Sequence, residues 1–137
     1  MKSLLKIEPR FAETDQMGVI HHATYPVWYE MGRIKYCDDI GVPFKSFIDK
    51  GIHLAVTELS VQYVKSARFG DELKLYTYLV KLSKVRSYFK FELYNQNQEL
   101  INTGSTTLAW LDSGMKPLNI QKAFPEIFAV FSKYVFL

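Results

Sequence analysis

The feature that most restricts how this chain can fold is a change in hydrophobic period partway along it. Between residues 25 and 40 apolar side chains return every three to four positions. Val27, Met31, Ile34 and Cys37 form one stripe, with Trp28 and Gly32 beside it. That is the spacing of a helix with one buried face. From residue 52 onward the spacing drops to two, the period of strands. Thr24 is expected as N-cap of the helix, Pro26 is tolerated in its first turn, and Gly41 supplies its stop. Gly32, on the stripe side, would let a sheet approach closely.

Residues 2–11 alternate loosely (Leu5, Ile7, Pro9, Phe11) and read as a first strand, and 12–23 as a loop. Residues 42–51 read as a linker. Residues 52–65 form a long strand whose apolar parity switches near Thr57 and Glu58, which predicts a bulge. Residues 72–83 and 86–94 alternate cleanly, with Phe89, Phe91 and Leu93 opposite Lys90 and Glu92. A turn at Asn95–Gln98 leads to a last strand over 99–112, and Pro117 ends it. A short helix follows near 125–134, with Ile127, Val130, Phe131 and Tyr134 on one side. One strand, one long helix and four antiparallel strands make an α+β domain, a long helix wrapped by a five-stranded sheet.

The 137 residues make a single domain, 1–137. Aromatics are 15% of the chain, ten Phe and nine Tyr among them. That is more than one small core needs, so a homodimer or homotetramer is expected. The net charge of +3 is spread without a basic run, which excludes the usual nucleic-acid stripe and suits a small anionic ligand. A single cysteine, Cys37, and no stretch of about 18 apolar residues point to the cytoplasm and to no membrane span.

The segment Arg10-Phe-Ala-Glu-Thr-Asp15-Gln-Met-Gly18-Val-Ile-His-His22-Ala-Thr-Tyr25 places a carboxylate, a glycine and two histidines just before the helix. A helix start offers unpaired N–H groups that can polarise a carbonyl, and a nearby carboxylate can serve as base or nucleophile. The same residues also read structurally, with Asp15 capping a turn and Gly18 supplying a positive φ. Both readings stand at this point.

The run Glu13-Thr14-Asp15-Gln16-Met17-Gly18-Val19-Ile20-His21-His22-Ala23-Thr24-Tyr25 resembles the signature of hot-dog-fold acyl-CoA thioesterases of the 4-hydroxybenzoyl-CoA thioesterase and YbgC type. Their pattern reads Asp or Glu, Thr, Asp, two variable residues, Gly, Val, Val, Tyr, His, Ala, Asn, Tyr. Tyr63-Val-Lys-Ser-Ala67-Arg-Phe-Gly70-Asp71 resembles their Tyr-x-x-Pro-Ala-x-x-Gly-Asp, with Ser66 in place of Pro. Gly104 and Asp112 also fall where the family has them. The chain departs from the pattern at His21, Thr24 and Pro26, which bears on the shape of the acyl pocket.

The resemblance implies a hot-dog fold that hydrolyses an acyl-CoA to the free acid and CoA, with no cofactor. Asp15 would attack the thioester carbonyl or activate water. The His22 backbone N–H would polarise the carbonyl, and the His22 side chain is a second catalytic candidate. Gly18, Tyr25 and Tyr29 are candidates for contact with substrate. Arg68 and Arg86, with Lys65, lie at expected strand ends or turns and are candidates for the CoA phosphates. Acyl-acyl-carrier-protein hydrolysis and a non-catalytic acyl-CoA-binding module are the alternatives. Glu30 reads as a solvated helix residue and Cys37 as core. Asp15, His21 and His22 lack a familiar metal spacing, and adjacent histidines are expected to point apart. There is no Gly-x-Ser-x-Gly elbow.

Overall fold

In the computed structural model, which describes residues 1–136, the strands are β1 (Ser3–Ile7), β2 (His53–Tyr63), β3 (Leu73–Leu82), β4 (Arg86–Tyr94) and β5 (Leu100–Leu111). They form one antiparallel sheet in the order β1-β3-β4-β5-β2. Leu137 lies outside the described residues. The long helix α1 (Thr24–Asp39) packs across β1 and β3. β2 has a neighbour on one side only, β5, and is therefore an edge. Its register shifts between Val56 and Glu58, the bulge expected from the parity switch.

Several expectations need correction. The first strand stops at Ile7, and Phe11–Glu13 form a 3-10 turn, because Pro9 has no N–H to extend a ladder. The stretch expected as a linker contains helix α2 (Phe44–Asp49). A short α3 (Ile120–Ala123) precedes α4 (Pro125–Lys133). Thr24 is the first helical residue and not the cap. Ala23 holds that position without a side-chain bond, and His21 captures the free donors instead, its Nδ1 accepting from Ala23 N–H and its carbonyl from Thr24 N–H.

The buried face of α1 also differs from the expected stripe. It is built from Tyr25, Trp28, Tyr29, Gly32, Tyr36 and Cys37, while Val27 and Met31 are about half exposed. Large aromatics won the core side because they fill the space between helix and sheet. Gly32 sets how close those layers come. A Cβ on Gly32 would lie 2.5 Å from Thr77 Oγ1 and 2.8 Å from Leu75 Cδ2, so only glycine fits where the helix crosses β3. Gly41 ends α1 at φ +86°, with Val42 N–H bonded back to the Cys37 carbonyl. At the far end of the sheet, Trp110 meets Phe47 of α2 and Phe131 of α4 edge-on, at 5.8 and 5.3 Å. That aromatic contact closes the core.

Candidate active site

The loop ahead of α1 is a small hairpin. Thr14 and Ile20 pair across it, Asp15 N–H donates to the Val19 carbonyl at 2.8 Å, and Gly18 turns the chain at φ +80°. Asp15 stabilises this turn with one oxygen. Its Oδ1 accepts from Met17 N–H at 2.8 Å and from Val19 N–H at 3.3 Å. Its Oδ2 has no hydrogen bond among the described residues. The capping and catalytic readings of Asp15 are thus compatible, since they use different oxygens.

Glu13 fastens the hairpin to the helix. Its Oε1 accepts from Arg10 N–H at 2.7 Å, and its Oε2 accepts from the Trp28 indole at 3.1 Å. Partial burial pushes the Glu13 pKa up. The bonds from Arg10 and Trp28 outweigh that and hold it below the ordinary 4.5. The sequence assigns Glu13 no role of its own, although it stands in the quoted motif fifteen residues before Trp28.

The two motifs, some forty residues apart in sequence, are clamped together. Ile20 N–H donates to the Ala67 carbonyl at 2.9 Å, and Ala67 N–H donates to the Tyr25 hydroxyl at 3.2 Å. Val19 and Arg68 form a bridge, and the Tyr63 hydroxyl donates to the His22 carbonyl at 3.1 Å. Between them lies a cleft of about 280 Å³ bordered by Asp15, Ile20, His22, Tyr25, Tyr63 and Ser66. Tyr63 and Ser66 are walls that were not singled out beforehand, although both sit inside the second motif.

His22 is exposed at the cleft, and its backbone N–H has no acceptor among the described residues. The rings of His21 and His22 do not diverge. They stack at 4.3 Å with an interplanar angle of 27°. Tyr25 is 2% exposed and serves as wall and clamp together. Burial is the main cause that raises its pKa. Gly18 shapes the turn and does not border the cleft.

Tyr29 does not reach the cleft. Its ring lies flat on Phe91 at 4.2 Å, its hydroxyl donates to Asn102 Oδ1 at 2.5 Å, and none of its surface is exposed. It belongs to the core, four positions past Tyr25 along α1. Arg68 adjoins the Asp15 loop through the Val19 bridge. Arg86 lies elsewhere: it pairs with Ala109, at the opposite end of the sheet from Tyr63, which pairs with Asn102. Within one chain it is therefore remote from Asp15. Lys65 is engaged by Glu99 in an ion pair. Cys37 is buried, and desolvation pushes its pKa up to about 12, so it stays protonated as a core residue.

A long helix laid across one five-stranded antiparallel sheet is the architecture of the hot-dog fold. The profile of the Thioesterase-like superfamily matches residues 9–128. The chain belongs to that superfamily. It is similar to YneP of Bacillus subtilis strain 168, 31% identical over 129 residues that cover 93% of this chain and 94% of that one. It is also similar to the acyl-CoA thioester hydrolase YbgC of Escherichia coli O157:H7, 24% identical over 82% of this chain and 85% of the other. Among solved structures it superimposes on a DHNA-CoA thioesterase from Staphylococcus aureus with a TM-score of 0.93. Identity there is 38%, and 96% of this chain and 89% of that chain are covered.

Proposed function

We propose that the chain hydrolyses acyl-CoA thioesters in the cleft between the two motifs, with Asp15 as the reacting carboxylate. The observation that carries this reading is the division of labour on Asp15. Oδ1 is held by two backbone N–H groups, so the side chain cannot swing away, while Oδ2 keeps its lone pairs for chemistry. As a base, Oδ2 takes a proton from water as the oxygen attacks the thioester carbon, then returns it to the departing CoA sulfur. As a nucleophile, it attacks the thioester carbon and expels the CoA thiolate, and water then opens the resulting anhydride to the free acid and the Asp15 carboxylate. In either route negative charge builds on the thioester oxygen, and the unpaired His22 N–H at the start of α1 is suited to receive it. The His22 side chain borders the cleft and is a second candidate for proton transfer.

Assembly is part of the same proposal. β2 is an uncovered edge eleven residues long, and Val56, Leu59 and Tyr63 on it are about half exposed. Val27 and Met31 of α1 are about half exposed as well. The exposed apolar side chains of β2 are suited to burial against a second copy, with two β2 edges pairing about a two-fold axis. A homodimer is the minimal unit of that pairing.

The deciding experiment is release of free thiol from a panel of acyl-CoAs by the wild-type protein, followed by one turnover in ¹⁸O-water. Label in Asp15 after the turnover supports the anhydride route, and label only in the product acid supports the water route. Absence of thiol release across the panel defeats the proposal.

A further inference from the structure

The backbone on either side of the free His22 donor is tied down. His21 N–H donates to the Glu13 carbonyl at 2.8 Å, and Thr24 N–H donates to the His21 carbonyl at 2.9 Å. Ala23 N–H donates to Nδ1 of the His21 ring at 3.1 Å. Of the amides from His21 to Thr24, only that of His22 has no acceptor among the described residues. Two of these three ties end on backbone carbonyls, which hold at any pH. The third ends on a ring nitrogen, which accepts only while it carries no proton.

In a neutral imidazole that accepts at Nδ1, the ring proton sits on Nε2. A second proton goes to Nδ1, where it would face the Ala23 N–H along the same 3.1 Å line. Two donors cannot share that line, so the charged ring has to turn out of the cap. Turning also breaks its stack on His22, 4.3 Å away at an interplanar angle of 27°. The charged groups bordering the same hollow as His21 are Arg10 and Glu13. Arg10 is itself a cation, and the Glu13 carboxylate is already engaged by Arg10 N–H and the Trp28 indole. On the cleft side the titratable neighbour is His22, with Asp15 and Lys65 on the same cleft and Lys65 paired to Glu99.

We propose that His21 is a positioning residue: its neutral ring holds the His22 N–H in place, and its protonation releases that donor and switches turnover off. This rests on the reading of the His22 N–H as the group that polarises the thioester carbonyl. His21 is exposed, so its proton exchanges directly with solvent. Imidazoles change charge between about pH 5 and 8, and the switch works inside that window. The family pattern carries Tyr at this position, a ring with neither an acceptor nitrogen nor a positive charge. The switch is therefore a property of this chain and not of the pattern.

The test is the ratio of kcat at pH 8 to kcat at pH 5.5 on one acyl-CoA. For wild type a ratio of roughly ten or more is expected. His21→Asn offers an oxygen to Ala23 N–H, as Asn does at caps and turns, and takes up no proton. Its ratio should fall below about three, with kcat at pH 8 within about threefold of wild type. His21→Phe offers neither acceptor nor charge, so its ratio should be equally flat while kcat at pH 8 drops roughly three- to tenfold. A flat ratio in wild type would overturn the proposal, as would a His21→Asn ratio as steep as that of wild type. If His22→Asn flattens the ratio and His21→Asn does not, the acid loss belongs to the neighbouring ring and the proposal is again overturned.

A second measurement needs no variant. In ¹⁵N NMR of the wild-type protein, His21 should carry its proton on Nε2 at pH 8. The Ala23 amide resonance should then move in step with protonation of that ring as pH falls. An Ala23 amide that ignores the His21 ring overturns the switch, whether or not a variant folds. Should the wild type release no thiol from any acyl-CoA, the Asp15 reading fails by itself, and the Ala23 titration still decides whether His21 operates the cap.

Discussion

Gly104 lies directly beneath the ring of Tyr29. A Cβ at Gly104 would sit 2.5 Å from the Tyr29 hydroxyl oxygen and 2.6 Å from its Cζ. The ring has no freedom to retreat, because its other contacts are Phe91 at 4.2 Å and Asn102 at 2.5 Å. Gly104→Ala should therefore overpack the core and destabilise by about 1–3 kcal/mol. At this chain length that is a fall in Tm of roughly 3–12 °C. Thermal unfolding checks it, and an unchanged Tm would mean that the helix and sheet slide apart more easily than their packing indicates.

Asp15→Asn should lower kcat by roughly 10²–10⁴-fold, the usual scale for an acid–base group. Its carbonyl oxygen can still accept from Met17 and Val19, so Tm should stay close to that of wild type. Asp15→Ala removes the turn's acceptor as well and should lose both activity and stability. Near-normal turnover by the Asn variant would end the assignment. His22→Ala keeps the backbone donor, so the activity left in it separates the amide from the imidazole.

Glu13 should leave an acid signature. Its folded pKa is depressed below 4.5, so the stability it contributes is present above 4.5 and disappears as pH falls through the folded value. Asp39 and Glu92 are shifted in the same direction. Burial works against them, but their partners, Lys35 and Ser3 for Asp39 and Tyr78, Lys2 and Tyr94 for Glu92, prevail. Tm should hold level from neutral pH to about 5 and drop below 4.5. Glu13→Gln retains an acceptor for Trp28 and should make that drop shallower. Identical acid limbs in the two proteins would show that the Glu13 charge contributes nothing.

The exposed β2 edge predicts that no stable monomer is populated at micromolar concentration. Light scattering that finds a species of 15.9 kDa would contradict this. Leu59→Lys, on the apolar margin of that edge, should favour the monomer and abolish turnover together.

Arg68→Ala and Arg86→Ala should raise KM for acyl-CoA with kcat nearly intact, since phosphate contacts act on ground and transition state alike. The effect should shrink in high salt and vanish for a short thioester without the nucleotide. Arg86 is remote from Asp15 of its own chain, so an effect there would also argue that the partner brings it. If kcat collapses, these arginines support the reacting groups and not the phosphates.

The sheet was legible because a strand's period of two leaves little room for error: β4 was placed at 86–94 and the bulge at Thr57–Glu58. The helix was legible as an element, but its buried face was not. Val27 and Met31 are as hydrophobic as a core requires, and periodicity cannot tell burial inside a chain from exposure on its margin. Tyr29 was misread for a related reason: proximity in sequence to Tyr25 said nothing of the Gly104 gap that receives its ring. Asp15 stood out in the sequence because its motif is long. The Tyr63–His22 and Ala67–Tyr25 bonds did not, since contacts across forty residues leave no periodic trace.

The unequal bonding of the two Asp15 oxygens bears on how fast the cycle can run. A proton gained by this carboxyl goes to Oδ2, because protonating Oδ1 would set a hydrogen against the Met17 and Val19 donors. The turn can therefore keep its shape in both charge states, and protonation of Asp15 by itself calls for no loop movement. Turnover paced by bond-making at the thioester should be indifferent to solvent viscosity, while added sucrose or glycerol would slow it if a moving loop set the pace.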